Sequence, residues 1–335
     1  MAKQIQDAYI VAATRSPVGK APRGMFRTTR PDSLLAHVLT RVTAAVPSLP
    51  QDRIEDVIVG CAIPEFEQGM NVARIGLLLA GLPSSVAGMT INRFCSSGLN
   101  AVSIAADRIR TGEADVMIAA GTESMSMIPM LGRIAMNEAV FARDENLGIA
   151  YGMGLTAEKV AAQWQVSREA QDAFALASHQ KALAAQAAGE FDAEVSPFTV
   201  HEDVPDLAND RIVGREKVVS RDEGPRADTS AEGLAKLKPV FAAKGSVTAG
   251  NSSQMSDGAG ASILVSERVL RELSLAPLAR WVGYAVGGVP PEIMGVGPIA
   301  AIPKVLKTSG LKQDDLDWIE LNEAFAAQSL AVMNE

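Results

Sequence analysis

Short apolar runs and longer amphipathic stretches take turns along the first third of the chain. Residues 8–13 ("AYIVAA") and 57–63 ("VIVGCAI") are unbroken apolar runs of strand length. Between them, residues 32–46 predict a helix, with Asp32 as its N-cap and Pro47 as its stop. Residues 71–80 predict a second helix, closed by Gly81 and Pro83. Residues 87–94 lead as a strand into Cys95, 96–110 predict a helix ending before Gly112, and 115–120 ("DVMIAA") predict another strand. Strands alternating with helices predict an α/β sheet with mainly parallel pairing.

The rhythm changes between residues 123 and 244. Met125, Met127, Met130 and Met136 cluster, and a long helix follows with Ser167 as N-cap and Gly189 just past its end. Residues 194–226 are polar and carry prolines, which predicts a large inserted loop region, a usual place for binding function. Apolar strand character returns at 261–265 ("ASILV").

The pattern then begins again. "RWVGYA" from Arg280 matches "AYIVAA" as a first strand, and "DDLDWIELN" from Asp314 matches "DRIEDVIVG" from Asp52. The second match pairs Ile54 with Leu316, Val57 with Ile319 and Val59 with Leu321, and a helix near 299–307 precedes it as 32–46 precedes the first. A duplicated α/β unit is the expectation. The second copy stops inside its second helix, at "AVMNE", so a longer natural protein is expected as well.

A length of 335 residues predicts more than one core. Aromatic residues make up only 4% while Ala and Gly abound, which suits helices packed closely on sheets. A net charge of −8 argues against a nucleic-acid partner or an anionic membrane surface. No run reaches membrane-spanning length and the N-terminus lacks a cleavage-site pattern, so a cytoplasmic protein is expected. Two cysteines make no disulfide framework, and the absence of ligand-spaced Cys/His clusters predicts no metal.

Cys95 lies where a strand meets a helix, in "NRFCSSGLNA". Unpaired N–H groups and the helix dipole there favour a thiolate, so a lowered pKa is expected, and the same N–H groups can form an oxyanion hole. A buried structural thiol fits the local sequence equally well. Cys61, inside "VIVGCAI", reads as core.

"NRFCSSGLNA" stands in one chain with "GTESMSMIPM" from Gly121, "YGMGLTAEKVAAQW" from Tyr151, "SREAQDAFALASHQKA" from Ser167, "GSVTAGNSSQMSDGAGA" from Gly245 and "LNEAFAA" from Leu321. Together, over about residues 8–334, they resemble the thiolase family of acyl-CoA acyltransferases. The resemblance implies two similar α/β halves in α-β-α-β-α layers, the second incomplete here, with a loop domain inserted in the first. The expected boundaries are 1–122 with 245–270, the insertion 123–244, and 271–335. It implies cleavage of 3-ketoacyl-CoA by CoA, or the reverse condensation, in fatty-acid breakdown, with CoA a substrate and no cofactor. Cys95 matches the acylated nucleophile. Asn322 matches the residue that orients an oxyanion-hole water, Ser253 a hydroxyl on the pantetheine arm, Ala249 a small residue beside it, and Arg226 an arginine at the adenine end. A homodimer or homotetramer is implied.

Each of these residues has a plainer reading. Asn322 caps a helix from Glu323, Ser253 is a turn residue, and Arg226 pairs with Asp222, Glu223 or Asp228. The family's activating histidine (Gly-His-Pro) and second cysteine (Cys-x-Gly) lie beyond "NEAF", and His37, His179 and His201 do not match them, so little turnover is expected of these residues alone. Biosynthetic members commonly carry His-Met-Gly where this chain has Gly152-Met153-Gly154, which points to a roomier acyl pocket. The alternatives are an acetoacetyl-CoA thiolase, a non-catalytic acyl-CoA or lipid-binding relative, and a ketoacyl synthase, which "NEAF" and "GNSS" fit less well.

Overall fold

The computed structural model describes residues 5–130 and 135–335. Residues 1–4 and 131–134, which fall inside the expected segments 1–122 and 123–244, lie outside the described residues. The chain divides into two compact units.

The first unit takes the described residues of Met1–Ile134 with Phe191–Gly224 and Met255–Trp281. Its strands are β1 (Ala8–Arg15), β2 (Gly19–Lys20), β3 (Asp56–Gly60), β4 (Ala87–Ile91), β5 (Val116–Ser124), β6 (Phe198–Asp206), β7 (Arg211–Val219), β8 (Ser256–Ser266) and β9 (Ala279–Arg280). Helices α1 (Pro31–Ala44), α2 (Val72–Leu79) and α3 (Ser97–Arg110) follow the expected order closely. The main sheet runs β4-β3-β5-β8-β1-β9, with β2 on β8. Successive strand residues point to opposite faces, and the burial follows that period. Val57, Val59, Val116, Ile118, Ile263 and Val265 join the core under α1 and α2. Ile58, Met117, Ala119 and Leu264 join the core under α3, beside Ala101, Ala105 and Ala106. A strand covered on both faces must be apolar throughout, which is why "VIVG" shows no alternation.

Three expectations change here. Among the named strands of the described residues, β3–β4 and β3–β5 are the parallel pairs; β8 runs antiparallel to β5, β1 and β2, and β9 is antiparallel to β1. β8 arrives from a distant part of the chain, so no short crossover helix constrains its direction. The N-cap of α1 is Arg30, not Asp32: Pro31 takes the first helical position, and Asp32 in the first turn pairs with Arg30 at 2.8 Å. The polar stretch after Glu194 is a hairpin, β6 on β7, rather than a loop; Phe198, Val200 and Val219 meet the core while Ile212 stays exposed.

The second unit takes Ala135–Glu190, Pro225–Gln254 and Val282–Glu335. Its helices are α4 (Met153–Gln163), α5 (Arg168–Ala188), α6 (Ala231–Ala235), α8 (Gly297–Ser309) and α9 (Ala326–Asn334); α7 (Glu267–Glu272) belongs to the first unit. The caps of α5 are as expected, with Ser167 accepting from Ala170 N and Gly189 left-handed at φ 74°. Val160, Val166, Val296 and Ala331 form a small core. The strands expected from Arg280 and Asp314 are not formed beyond Ala279–Arg280. Among the described residues no strand pairs with 316–321, and Trp318 and Ile319 are exposed.

Candidate functional site

The site residues expected from the sequence fall on both units: Cys95 on the first, and Arg226, Ala249, Ser253 and Asn322 on the second.

Five residues, 92–96, join β4 to α3. Phe94 takes a left-handed φ of 47°, an unfavourable conformation for a residue with a large side chain. It is held by hydrogen bonds from both flanks. Phe94 N donates to Asn92 Oδ1 (2.8 Å), while Ser97 Oγ accepts from Arg93 N (2.7 Å) and donates to Phe94 O (2.6 Å). Ser97 itself is buried at the head of α3. The end of β3 meets it there: a Cβ on Gly60 would lie 2.5 Å from the Ser97 carbonyl carbon and 2.6 Å from Gly98 N. A bare Cα is what allows the contact.

The result is an exposed Cys95 one residue before the N-cap Ser96. The expected thiolate stabilisation is not what the surroundings give. Burial of the sulfur among its neighbours pushes the thiol up, the Glu123 carboxylate adds to this, and the Cys95 backbone N–H opposes it. Exposure of the residue to water limits the push. The helix begins two residues further on, so its dipole is felt at a distance. A thiol in this state needs a base to lose its proton before attack. His37 bonds Ser196 Oγ and packs on Phe198, and His201 pairs with Glu216; neither engages Cys95. Cys61 is 1% exposed and belongs to the core, as expected.

Beneath the turn lies a set of groups that sequence reasoning did not assign. Glu123 Oε2 accepts from Ala62 N (2.6 Å), and Gln68 Nε2 donates to Glu123 Oε1 and to Ile63 O. Gln68 Oε1 accepts from Ser124 N, and Asn92 Nδ2 donates to Ala62 O (3.0 Å). Burial holds the Glu123 carboxyl above its usual range, against its hydrogen bonds. The visible signal was a pair of polar residues, Glu123 and Ser124, closing an apolar strand.

On the second unit, residues 245–253 are pinned to two helices. Glu158 of α4 accepts from Ser246 N and Val247 N, and buried Asn251 donates to Asp172 of α5 (2.9 Å). Ser252 and Phe325 form an antiparallel bridge, and Ser253 N donates to Ala324 O (3.0 Å), which brings the Gly-Asn-Ser-Ser and Asn-Glu-Ala-Phe segments side by side. Ser253 and Ala249 are exposed. Asn322 is exposed and does not cap α9, whose N-cap is Phe325, so its side chain is not committed to a helix end. Arg226 pairs with Asp228 in an exposed fork (3.1 and 2.8 Å), whereas Asp222 is held by Arg15 and Glu223 accepts from Lys20 N and Met25 N. Adjacent residues of α5 grip both segments: Ser178 donates to Glu323, and His179 Nδ1 accepts from Arg226 N (3.3 Å). A Cβ on Gly152, the N-cap of α4, would meet nothing within 4 Å.

Comparison with known proteins adds to this geometry. The family model "Thiolase, N-terminal domain" matches residues 8–268, and "Thiolase, C-terminal domain" matches 275–335. The chain is 46% identical over 332 residues to a protein named 3-ketoacyl-CoA thiolase from Bacillus subtilis (strain 168), covering 99% of this chain and 84% of that one. It is 44% identical over 324 residues to 3-ketoacyl-CoA thiolase B, peroxisomal, of Mus musculus, covering 97% and 75%. Among solved structures, the Bacillus anthracis acetyl-CoA acetyltransferase matches with a TM-score of 0.87 at 40% identity, covering 99% and 84%. The dimeric peroxisomal thiolase of Saccharomyces cerevisiae also matches at 0.87, with 38% identity, covering 98% and 82%.

Proposed function

The chain belongs to the thiolase family of acyltransferases, and from that premise we propose that it cleaves 3-ketoacyl-CoA with CoA by carrying the acyl group on Cys95. Once a base has taken its proton, the sulfur attacks the 3-keto carbon. The C2–C3 bond breaks, its electron pair passes to C2 as the enolate of acetyl-CoA, and protonation there releases acetyl-CoA. The thiol of a second CoA then attacks the Cys95 thioester, leaves as the shortened acyl-CoA, and returns the cysteine. Asn322 places a donor, through water, at the substrate thioester oxygen. Ser253 and Ala249 flank the pantetheine arm, and Arg226 meets the nucleotide end.

The observation that carries this reading is an exposed cysteine on a left-handed turn at the head of α3, in a chain whose relatives are named 3-ketoacyl-CoA thiolase. Gly152-Met153-Gly154, standing where biosynthetic members commonly carry His-Met-Gly, favours an acyl chain longer than two carbons over the acetoacetyl reading. Breakdown of fatty acids in the cytoplasm is the corresponding role. Among the described residues no helix is long and apolar enough to cross a membrane, which by itself assigns no compartment.

A homo-oligomer is part of the proposal. Among the described residues β4 is one edge of the main sheet, and an edge of unpaired N–H and C=O groups is a template for a second copy. Met89 on that strand is exposed, as are Phe66 and Met70, which precede Asn71, a donor to Gly88 O of the same strand. The solved neighbour described as dimeric supports this.

The deciding experiment quenches the protein with 3-ketoacyl-CoA and maps adducts by mass spectrometry. An acyl group on Cys95 that disappears on adding CoA, and is missing in Cys95→Ala, is expected. Absence of any adduct on that sulfur defeats the reading.

A further inference from the structure

We propose that Asn92 is a positioning residue for Cys95, tying the nucleophile turn through the Ala62 peptide to the carboxyl of Glu123. The inference rests on the nucleophile reading given above. Its route is continuous within the sheet unit. β3 and β5 are parallel, with Gly60 opposite Gly121, so the residues just past each strand come together above the same edge. There Glu123 accepts from Ala62 N, and buried Gln68 braces Glu123, Ile63 O and Ser124 N at once. The peptides on both sides of Ala62 are thus engaged: its N–H by Glu123, and its carbonyl by Asn92 Nδ2 at 3.0 Å. The other end of the Asn92 amide accepts from Phe94 N at 2.8 Å.

A local turn needs only that second bond. The first serves no local purpose; it joins the turn to the floor of the sheet. Phe94, at φ 47°, sits in a conformation that persists only where surroundings impose it. Ser97 restrains it from the helix side, and Asn92 restrains it from the sheet side. Glu123 is otherwise hard to account for. Its charge opposes the Cys95 thiolate, and its own burial opposes its ionisation. Both costs are met by the order it imposes on residues 62–68.

The test compares two reactions of Cys95 by mass spectrometry: acetylation by acetyl-CoA and alkylation by iodoacetamide. Each is measured at the alkaline plateau of its pH profile, where the thiolate is already formed. Alkylation needs an accessible sulfur, whereas acetylation by a bound thioester needs that sulfur at a set angle. Displacement of a reacting group by about 1 Å can slow a reaction ~10²-fold. Asn92→Ala and Asn92→Asp should therefore lose about 10²-fold in acetylation and less than about twofold in alkylation. Asn92→Asp is the sharper variant, since aspartate still accepts from Phe94 N but cannot donate to Ala62 O; it decides alone if Asn92→Ala fails to fold. Glu123→Gln should lose about tenfold in acetylation with the same split. Asn100→Ala, which removes a partner of the Arg93 side chain at the same turn, should match wild type. Wild-type acetylation by Asn92→Asp, or equal losses in both reactions, overturns the inference and leaves the nucleophile reading standing. A wild-type rate in Glu123→Gln overturns the Glu123 anchor. No acetyl adduct on the wild-type chain overturns both readings.

Discussion

Asn322 and Arg226 present opposite problems at the level of single side chains. Asn322 has an exposed side chain with no helix end to cap. Asn322→Ala should therefore leave thermal stability unchanged and lower kcat by about 10²–10³-fold, the usual effect of removing one oxyanion donor; steady-state thiolysis checks it. Arg226 already has a partner in Asp228, but both are exposed and the pair is screened by water. Arg226→Ala should leave the melting temperature unchanged and raise KM for CoA, more at low salt than at high; a KM that does not move removes Arg226 from the binding surface. The motifs around Cys95 and Asn322 are visible in the sequence. The grouping of Asn92, Gln68 and Glu123 is not: their side chains meet only through the sheet register, and no local spacing announces that. The state of the thiol was misjudged for a related reason. The helix start is local and visible, while the burial that raises the thiol, and the Glu123 charge that adds to it, arise only from the folded packing.

At the level of elements, the contact between β3 and α3 sets where the nucleophile stands. Gly60→Ala would push a methyl group into the backbone of Ser97 and Gly98. Overpacking of this kind typically destabilises by about 1–3 kcal/mol. The variant should melt earlier and also acylate more slowly at temperatures where it remains folded; unfolding curves with acylation rates separate the two effects. Unbroken apolar runs and helical patterns gave β1, α1, β3, α2, β4, α3 and β5 within a few residues of their ends. The direction of β8 was hidden, because an apolar strand reads the same for either pairing. The β6–β7 hairpin was hidden by its polarity: a two-stranded sheet open to water has no need of an apolar face along most of its length.

At the scale of the molecule, Cys61 links the core to alkaline stability. Burial, with help from Glu123, pushes its thiol from 9.0 to about 12. The folded state thus keeps a proton that the unfolded chain gives up. That support is complete below the unfolded pKa and is lost as pH rises toward the folded value, so stability should fall between about pH 9 and 12, by up to ~1.4 kcal/mol per pH unit. Urea unfolding of wild type and Cys61→Ala across that range checks it: the variant should show the shallower decline, and equal slopes exclude the thiol as the cause. At this scale the thiolase family was legible through its motifs, and the pairing of the later segments was not. The two compact units interleave along the chain, and the strands expected from the repeat do not form after Arg280. A pattern matching the first copy is not enough to make a strand when no neighbour takes up its hydrogen bonds.

Ser178 and His179 stand next to each other on α5, and each holds a different stretch of chain. One residue inserted just upstream would swing that pair around the helix by about 100°. The two stretches would let go together, so under the proposed function the nucleotide end and the thioester end of a CoA ester would loosen as one event. Their affinities are geared to a common axle.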